Sequence, residues 1–188
     1  MARVSKLEKS ISEIYARLRR QEEAQDGLLA LTREIVRGCA VAIKAMHAGE
    51  IGSARKEIKR VGKLVKKARG LDRDMEYVAE TAYQEYCEAR VLLAVIEDEE
   101  IPTYADLGIP FEPYLLGLMD AIGEFRRQML EELKRGRRKE AERYFDAMNA
   151  IYEAVLPLRF SNSLLPGFRK KQDVARVQLE NARSELLR

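Results

Sequence analysis

The chain has 188 residues, of which 46% are hydrophobic and 35% charged, with 34 Lys+Arg against 31 Asp+Glu for a formal net charge of +3. That is one domain's length, with enough apolar content for a core, and no apolar run approaches the ~18–20 residues of a membrane span. Two cysteines and one histidine exclude a disulfide framework, a Cys/His zinc site and a His-rich di-iron centre, and leave oxygen ligands, hence Mg²⁺ or Mn²⁺, for any metal.

The prolines are Pro102, Pro110, Pro113, Pro157 and Pro166, all in the second half, and no strand-like alternation is visible in the first hundred residues. The reading is all-helical, a single domain over residues 1–188 with six or seven helices. A first helix spans about Val4 to His47. Ile11, Ile14, Leu18, Leu28, Leu31, Ile35 and Cys39 recur at helical spacing along it, and Gly27 is a point where it could kink. An amphipathic pattern this long points to helix pairing or oligomer contact beyond one small core. Gly49 closes this helix and Ser53 is the expected N-cap of the next, Ala54 to Arg69, which stops at Gly70. Asp72 is the expected cap of a third helix reaching Glu99. Thr103 to Leu107 suits one short turn. A further helix runs from Pro113 to Lys134, another from Arg138 to Leu156, and the last from Phe168 to Leu187.

The second helix, ARKEIKRVGKLVKKAR, carries a narrow apolar stripe of Ile58, Val61, Val65 and Ala68. Its other side holds Lys56, Lys59, Arg60, Lys63, Lys66 and Lys67, and Glu57 is its single acid. Such a face binds phosphate backbones by neutralising charge and releasing counterions. A solvated helix face is the competing reading, but one would expect mixed signs there, because like charges one turn apart repel.

Two carboxylate pairs stand at helical spacing. Glu85 and Glu88 are three apart in TAYQEYCEARVLL, and Asp120 and Glu124 four apart in YLLGLMDAIGEFRR. Helix phase puts Glu85 and Glu88 on the flank of the Val78/Leu92/Val95 stripe, where a carboxylate needs a partner or a cation. Asp120 and Glu124 lie well away from the Leu115/Leu118/Ile122 stripe and read as surface acids. Gly117 and Gly123, costly inside a helix, hint at close approach of a neighbour. Spacing alone favours surface acids and a salt-bridged glutamate over a four-carboxylate cage for a hard divalent cation. His47 reads as a capping or surface residue, Cys87 as a core thiol, Tyr83 and Tyr86 as packing, and Glu97–Glu100 as a solvated helix end.

With Arg33-Glu34-Ile35 late in the first helix, the basic second helix, YQEYCEA, YLLGLMDAIGEFRR and the closing GFRKKQDVARVQLENARSEL, the chain resembles the translin superfamily over nearly its whole length. The carboxylates at the E-x-x-E and YLLG-x-x-D-x-x-x-E positions make it more similar to the Trax (translin-associated factor X) type than to translin, and its compact loops suit an archaeal-type member. The resemblance implies a translin-like helical bundle, assembly into a hollow octamer, and RNA held inside. It implies that Glu85, Glu88, Asp120 and Glu124 bind Mg²⁺ (or Mn²⁺) and cut single-stranded RNA, and that the basic helix contacts nucleic acid. A homo-oligomer in the cytoplasm, with no membrane association, is the accompanying expectation. A non-catalytic oligomer holding single-stranded RNA or DNA, and a helical scaffold without nucleic acid, are the other readings.

Overall fold

The structure is a computed structural model and describes residues 5–187. Seven helices and no strand are found among the described residues: α1 (Ser5–His47), α2 (Ile51–Arg69), α3 (Glu76–Ile96), α4 (Tyr104–Leu107), α5 (Phe111–Lys134), α6 (Arg138–Val155) and α7 (Phe168–Leu186). The fold is the all-α, translin-like helical bundle expected. Val4, the expected first helical residue, lies outside the described residues.

α3 and α5 pack side by side at the centre. α1 lies along α2 and α3, while α6 and α7 cover α5. The apolar residues of α3 face these neighbours on several sides, with Ala82, Tyr83, Val91 and Leu92 fully buried. On α5 the buried line includes Leu118, Ile122, Phe125 and Met129. α1 is different. None of its described residues before Leu28 is buried, and Leu7, Ile11, Ile14, Tyr15 and Leu18 are exposed at helical spacing. This half of the helix carries an apolar stripe that the chain itself does not cover. Gly27 does not interrupt the helix.

The punctuation of the chain is largely as the sequence indicates. Gly49, at φ 80°, closes α1. Its N–H donates to the Met46 carbonyl at 3.0 Å and that of Glu50 to the Ala45 carbonyl at 2.8 Å, the double bond pattern of a glycine C-cap. Thr103 and Asp106 form a reciprocal capping box on α4, and Gly108 ends it at φ 65°. Two expected caps are corrected. α2 starts at Ile51, so Ser53 sits inside its first turn and Glu50 precedes the helix. Asp72 caps nothing. It is buried in the α2–α3 turn, where its carboxylate accepts from Arg69 and from the Tyr83 hydroxyl, each at 2.6 Å. A buried acid with two charge-assisted bonds ties the two helices more firmly than an exposed cap would.

Candidate functional site

The close packing of α3 on α5 begins with Gly117. A Cβ at this position would stand 2.6 Å from the Gln84 carbonyl oxygen and 2.7 Å from Cys87 Cβ. Only a glycine lets the two backbones approach so closely here, as its place inside a helix hinted. Gly123 has nothing within 4 Å of its would-be Cβ, so the close-approach explanation fails for it.

One turn beyond Gly117, the contact brings the four carboxylates of the two helices to the same region. Glu85 and Glu88 on α3 feel the charges of Asp120 and Glu124 on α5. Glu88 is the most enclosed. Burial first, then the neighbouring Glu85, Asp120 and Glu124, push its carboxyl up to about 8. Glu85 is raised by burial and by Asp120, with Lys171 opposing. Neither Glu85 nor Glu88 makes an ion pair or side-chain hydrogen bond among the described residues.

The α5 acids are not the plain surface acids that phase on one helix suggests. Their side chains are about one-third and one-quarter exposed, Asp120 at 35% and Glu124 at 24%, because the ends of two other helices close over them. Lys171, in the first turn of α7, pairs with Asp120. His47, the last residue of α1, pairs through Nε2 with Glu124, and its Nδ1 lies 2.7 Å from Gln128 Oε1. Arg127 approaches Glu124 from outside at 3.8 Å. The bond from His47, more than the cost of burial opposing it, holds the Glu124 carboxyl below the usual carboxylate range. The reading of His47 as a cap or surface residue is therefore corrected. Its side chain is 9% exposed and belongs to the acidic cluster. His47 and Lys171 were missed because nothing near them in sequence signals the contact. The glycine-closed end of α1 is the one local sign that His47 is held at a fixed place.

The donor set is four carboxylates and an imidazole, with Cys87 buried beneath and donating to the Tyr114 carbonyl at 3.4 Å. Carboxylate oxygens of this kind suit a hard divalent cation. Among the described residues, no three His, Cys, Asp or Glu side chains are gathered tightly enough to form a metal cage.

The basic helix keeps its expected stripe: Ile58, Val61, Val65 and Ala68 are buried. Lys56, Lys59, Lys63, Lys66 and Lys67 are all exposed and make no ion pair among the described residues. Arg60 does not belong with them. Its guanidinium is engaged by Glu57 at 2.6 Å and approached by Glu34 at 3.8 Å. Cys39 and Cys87 are free thiols in the core, and Tyr83 and Tyr86 are buried as expected. Glu97 departs from a purely solvated helix end by pairing with Arg55.

A family model, described as the Translin family, matches residues 3–183. The chain belongs to the translin family. An uncharacterized protein of Methanocaldococcus jannaschii is 33% identical to this translin-family chain over 174 residues, which span 90% of this chain and 78% of the relative. Among solved structures, the AfC3PO–duplex RNA complex is similar with a TM-score of 0.88 and 32% identity over 95% of both chains. AfC3PO alone gives 0.87 and 34% over the same shares. Apo-NeC3PO, at 21% identity, has a TM-score of 0.86 over 94% of this chain and 95% of its own, a likeness of fold. No helix among the described residues is long and apolar enough to cross a membrane.

Proposed function

We propose that this translin-family protein binds RNA and is a divalent-metal-dependent endoribonuclease of the Trax type, working within a hollow homo-oligomer. The observation that carries the reading is that Glu85, Glu88, Asp120 and Glu124 lie near enough across the α3–α5 contact to feel one another's charge, in an arrangement more open than a closed metal cage. These four acids would hold Mg²⁺ or Mn²⁺. When bound, such an ion polarises a phosphodiester and makes water a better nucleophile near neutrality. The protein's own contribution is the arrangement of charge. Lys171 and His47 orient Asp120 and Glu124. Without a cation the Glu88 carboxyl is pushed up to about 8, so binding a divalent ion there would release a proton and leave the carboxylate to hold the ion. Lys56, Lys59, Lys63, Lys66 and Lys67 would neutralise RNA phosphates, with Arg60 joining them only by leaving Glu57.

The likeness to AfC3PO, a protein described in complex with duplex RNA, supports RNA as the ligand. The uncovered apolar stripe of α1 supports assembly with further copies, an octamer in the Trax-like reading. The family match over residues 3–183 supports one translin-like domain across 1–188. Two free buried thiols agree with a cytoplasmic setting.

A second reading has its own observation. Two of the four acids are already engaged by Lys171 and His47, and no three among the described residues close into a cage. That arrangement also suits an oligomer that holds single-stranded RNA or DNA without cutting it. The two separate in one assay: labelled single-stranded and duplex RNA are incubated with the purified protein in Mg²⁺, in Mn²⁺ and in EDTA. The nuclease reading expects cleavage with metal, none in EDTA, and loss of cleavage with retained RNA binding in Asp120→Asn. Bound RNA that stays intact in both metals leaves the binding role alone.

A further inference from the structure

On the far side of α3 from the acidic cluster lies a broad concavity. It is a groove of about 830 Å³ between α2, α3 and the connection that carries α4. At 100° per residue, Arg90 stands about 140° round α3 from Glu85, so the groove and the acids share a helix but not a face. We propose that this groove is a second site, which takes a nucleoside monophosphate group, either a free nucleotide or the phosphorylated end of an RNA strand.

Three features point to that chemistry. Firstly, the cations on the walls outnumber their partners. Lys59, Lys63 and Lys66 of α2 line the groove with no carboxylate in ion-pair reach among the described residues, and Arg90 of α3 joins them. Arg55 and Arg69 also reach the groove, but each is held by acids of its own, Glu97 for the first and Asp72 with Glu76 for the second. Glu99 and Glu100 stand on the rim, and Asp106 is turned to its capping partner Thr103. Asp106 keeps its charge beside Thr103 and feels Arg90, so four cations without ion-pair partners stand against three acids, and the groove is left modestly positive.

Secondly, the Arg90 Nε is buried without a hydrogen-bond partner. An orphaned, charge-bearing donor is costly. A turn of the side chain toward the groove would let a phosphate oxygen satisfy it, and the guanidinium fork matches phosphate geometry. Thirdly, one wall is apolar and partly aromatic. Leu93, Pro102 and Leu107 line it, and Tyr86 forms part of the floor. Gly62 leaves the room for Tyr86, because a Cβ there would stand 2.9 Å from the tyrosine hydroxyl. A phosphate site beside an apolar shelf is what a nucleotide requires, and the volume is within the usual range of about 300–1,000 Å³ for small-ligand pockets. A simple backbone-binding patch would not need the shelf.

The test is made in EDTA, so that the acidic cluster and its metal play no part, and it stands whether or not the protein cleaves RNA. Isothermal calorimetry on the intact protein compares 5′-AMP, adenosine and inorganic phosphate. The expectation is that AMP binds, adenosine does not, and phosphate binds more weakly than AMP. Arg90→Gln and Lys63→Glu should each weaken AMP about tenfold or more, as befits loss of a charge-assisted contact. Lys63 is exposed, so its variant keeps the test decisive if Arg90→Gln destabilises the fold. Fluorescence polarisation then locates the source. If AMP displaces a short RNA, and a 5′-phosphate on that RNA improves binding over a 5′-hydroxyl, the occupant is an RNA end. If AMP binds without that preference, the occupant is a free nucleotide. No AMP binding at millimolar concentration, equal binding of adenosine, or AMP affinity unchanged in both variants overturns the proposal.

Discussion

Replacing Glu88 with Gln tests the electrostatic core of the site. The Glu88 carboxyl is raised from 4.5 to about 8, with burial the larger cause and Glu85, Asp120 and Glu124 adding repulsion. A folded-state value above the unfolded one means that the protonated form is the stable one in the fold. The stability tied to that proton is fully present below pH 4.5 and is lost as pH rises through about 8. Between pH 4.5 and pH 7 the wild type loses up to about 3 kcal/mol on this account, at about 1.36 kcal/mol per pH unit. Water reaching the cluster past Asp120 and Glu124 lowers this to about 2 kcal/mol, because partly solvated charges repel less. Glu88→Gln resembles the protonated acid and has no such loss. In EDTA its melting temperature should match that of wild type near pH 4.5 and exceed it by about 4–8 °C at pH 7, since about 1 kcal/mol moves the midpoint of a chain this size by 2–4 °C. The assay is a pair of thermal melts followed by far-UV circular dichroism from pH 4.5 to 8.5. A difference that stays constant across this range would mean that Glu88 titrates as an ordinary acid, and the picture of a mutually repelling, enclosed cluster would be wrong.

His47→Ala removes the bond that holds Glu124 low. The Glu124 carboxyl should move up in a carbon-detected NMR titration, and stability at pH 7 should fall by about 1–2 kcal/mol, a loss that narrows as pH drops through the folded-state value. Gly117→Ala and Gly123→Ala should have opposite signs in chemical melts. The first forces a methyl to within 2.6 Å of the Gln84 carbonyl oxygen and should destabilise by about 1–3 kcal/mol, while the second meets nothing within 4 Å and should stabilise by about 0.5–1 kcal/mol through helix propensity. Changing Lys63 and Lys66 together to Gln should lower the slope of log affinity against log salt for single-stranded RNA by about 0.7 per lysine, read by fluorescence polarisation. Changing Arg60 alone should lower it less, because Glu57 already engages its guanidinium.

What was legible in the sequence followed from local physics. Apolar spacing placed the helices, and Gly49 and Gly70 ended two of them. The phase of Glu85 and Glu88 beside Val78 and Leu92 is enough to mark them as enclosed acids. The surface reading of Asp120 and Glu124 failed because it considered one helix alone. Their covers come from 51 and 77 residues away in the chain, Lys171 over Asp120 and His47 over Glu124. A one-dimensional pattern holds no record of such a contact. Asp72 misled for a related reason. Its position just past a glycine fits a cap, and only the Tyr83 hydroxyl, eleven residues on, shows that it is a buried junction. The cationic α2 was readable as a face, but not which of its members are free. Glu57 and Glu34 take Arg60 out of that set, and only the second of these is remote in sequence.

The four acids are unequal, and the inequality follows from the packing. Those on α5 each have a partner brought by the end of another helix, the Lys171 ammonium for Asp120 and the His47 imidazole for Glu124. Those on α3 have none and face the core. Four acids in one region are costly, and the fold engages only two of them with its own side chains. The balance is left on Glu85 and Glu88, where a proton near neutral pH or a hard cation can meet it. This imbalance depends on how closely α3 and α5 approach, which Gly117 permits. A methyl at that position pushes the helices apart just where the acids begin to interact, so in Gly117→Ala the pH-dependent gain from Glu88→Gln should shrink. A double-mutant cycle over pH measures this coupling. If the gain keeps its full size in the Gly117→Ala background, burial alone raises Glu88, and the approach of the α5 acids has no part in it.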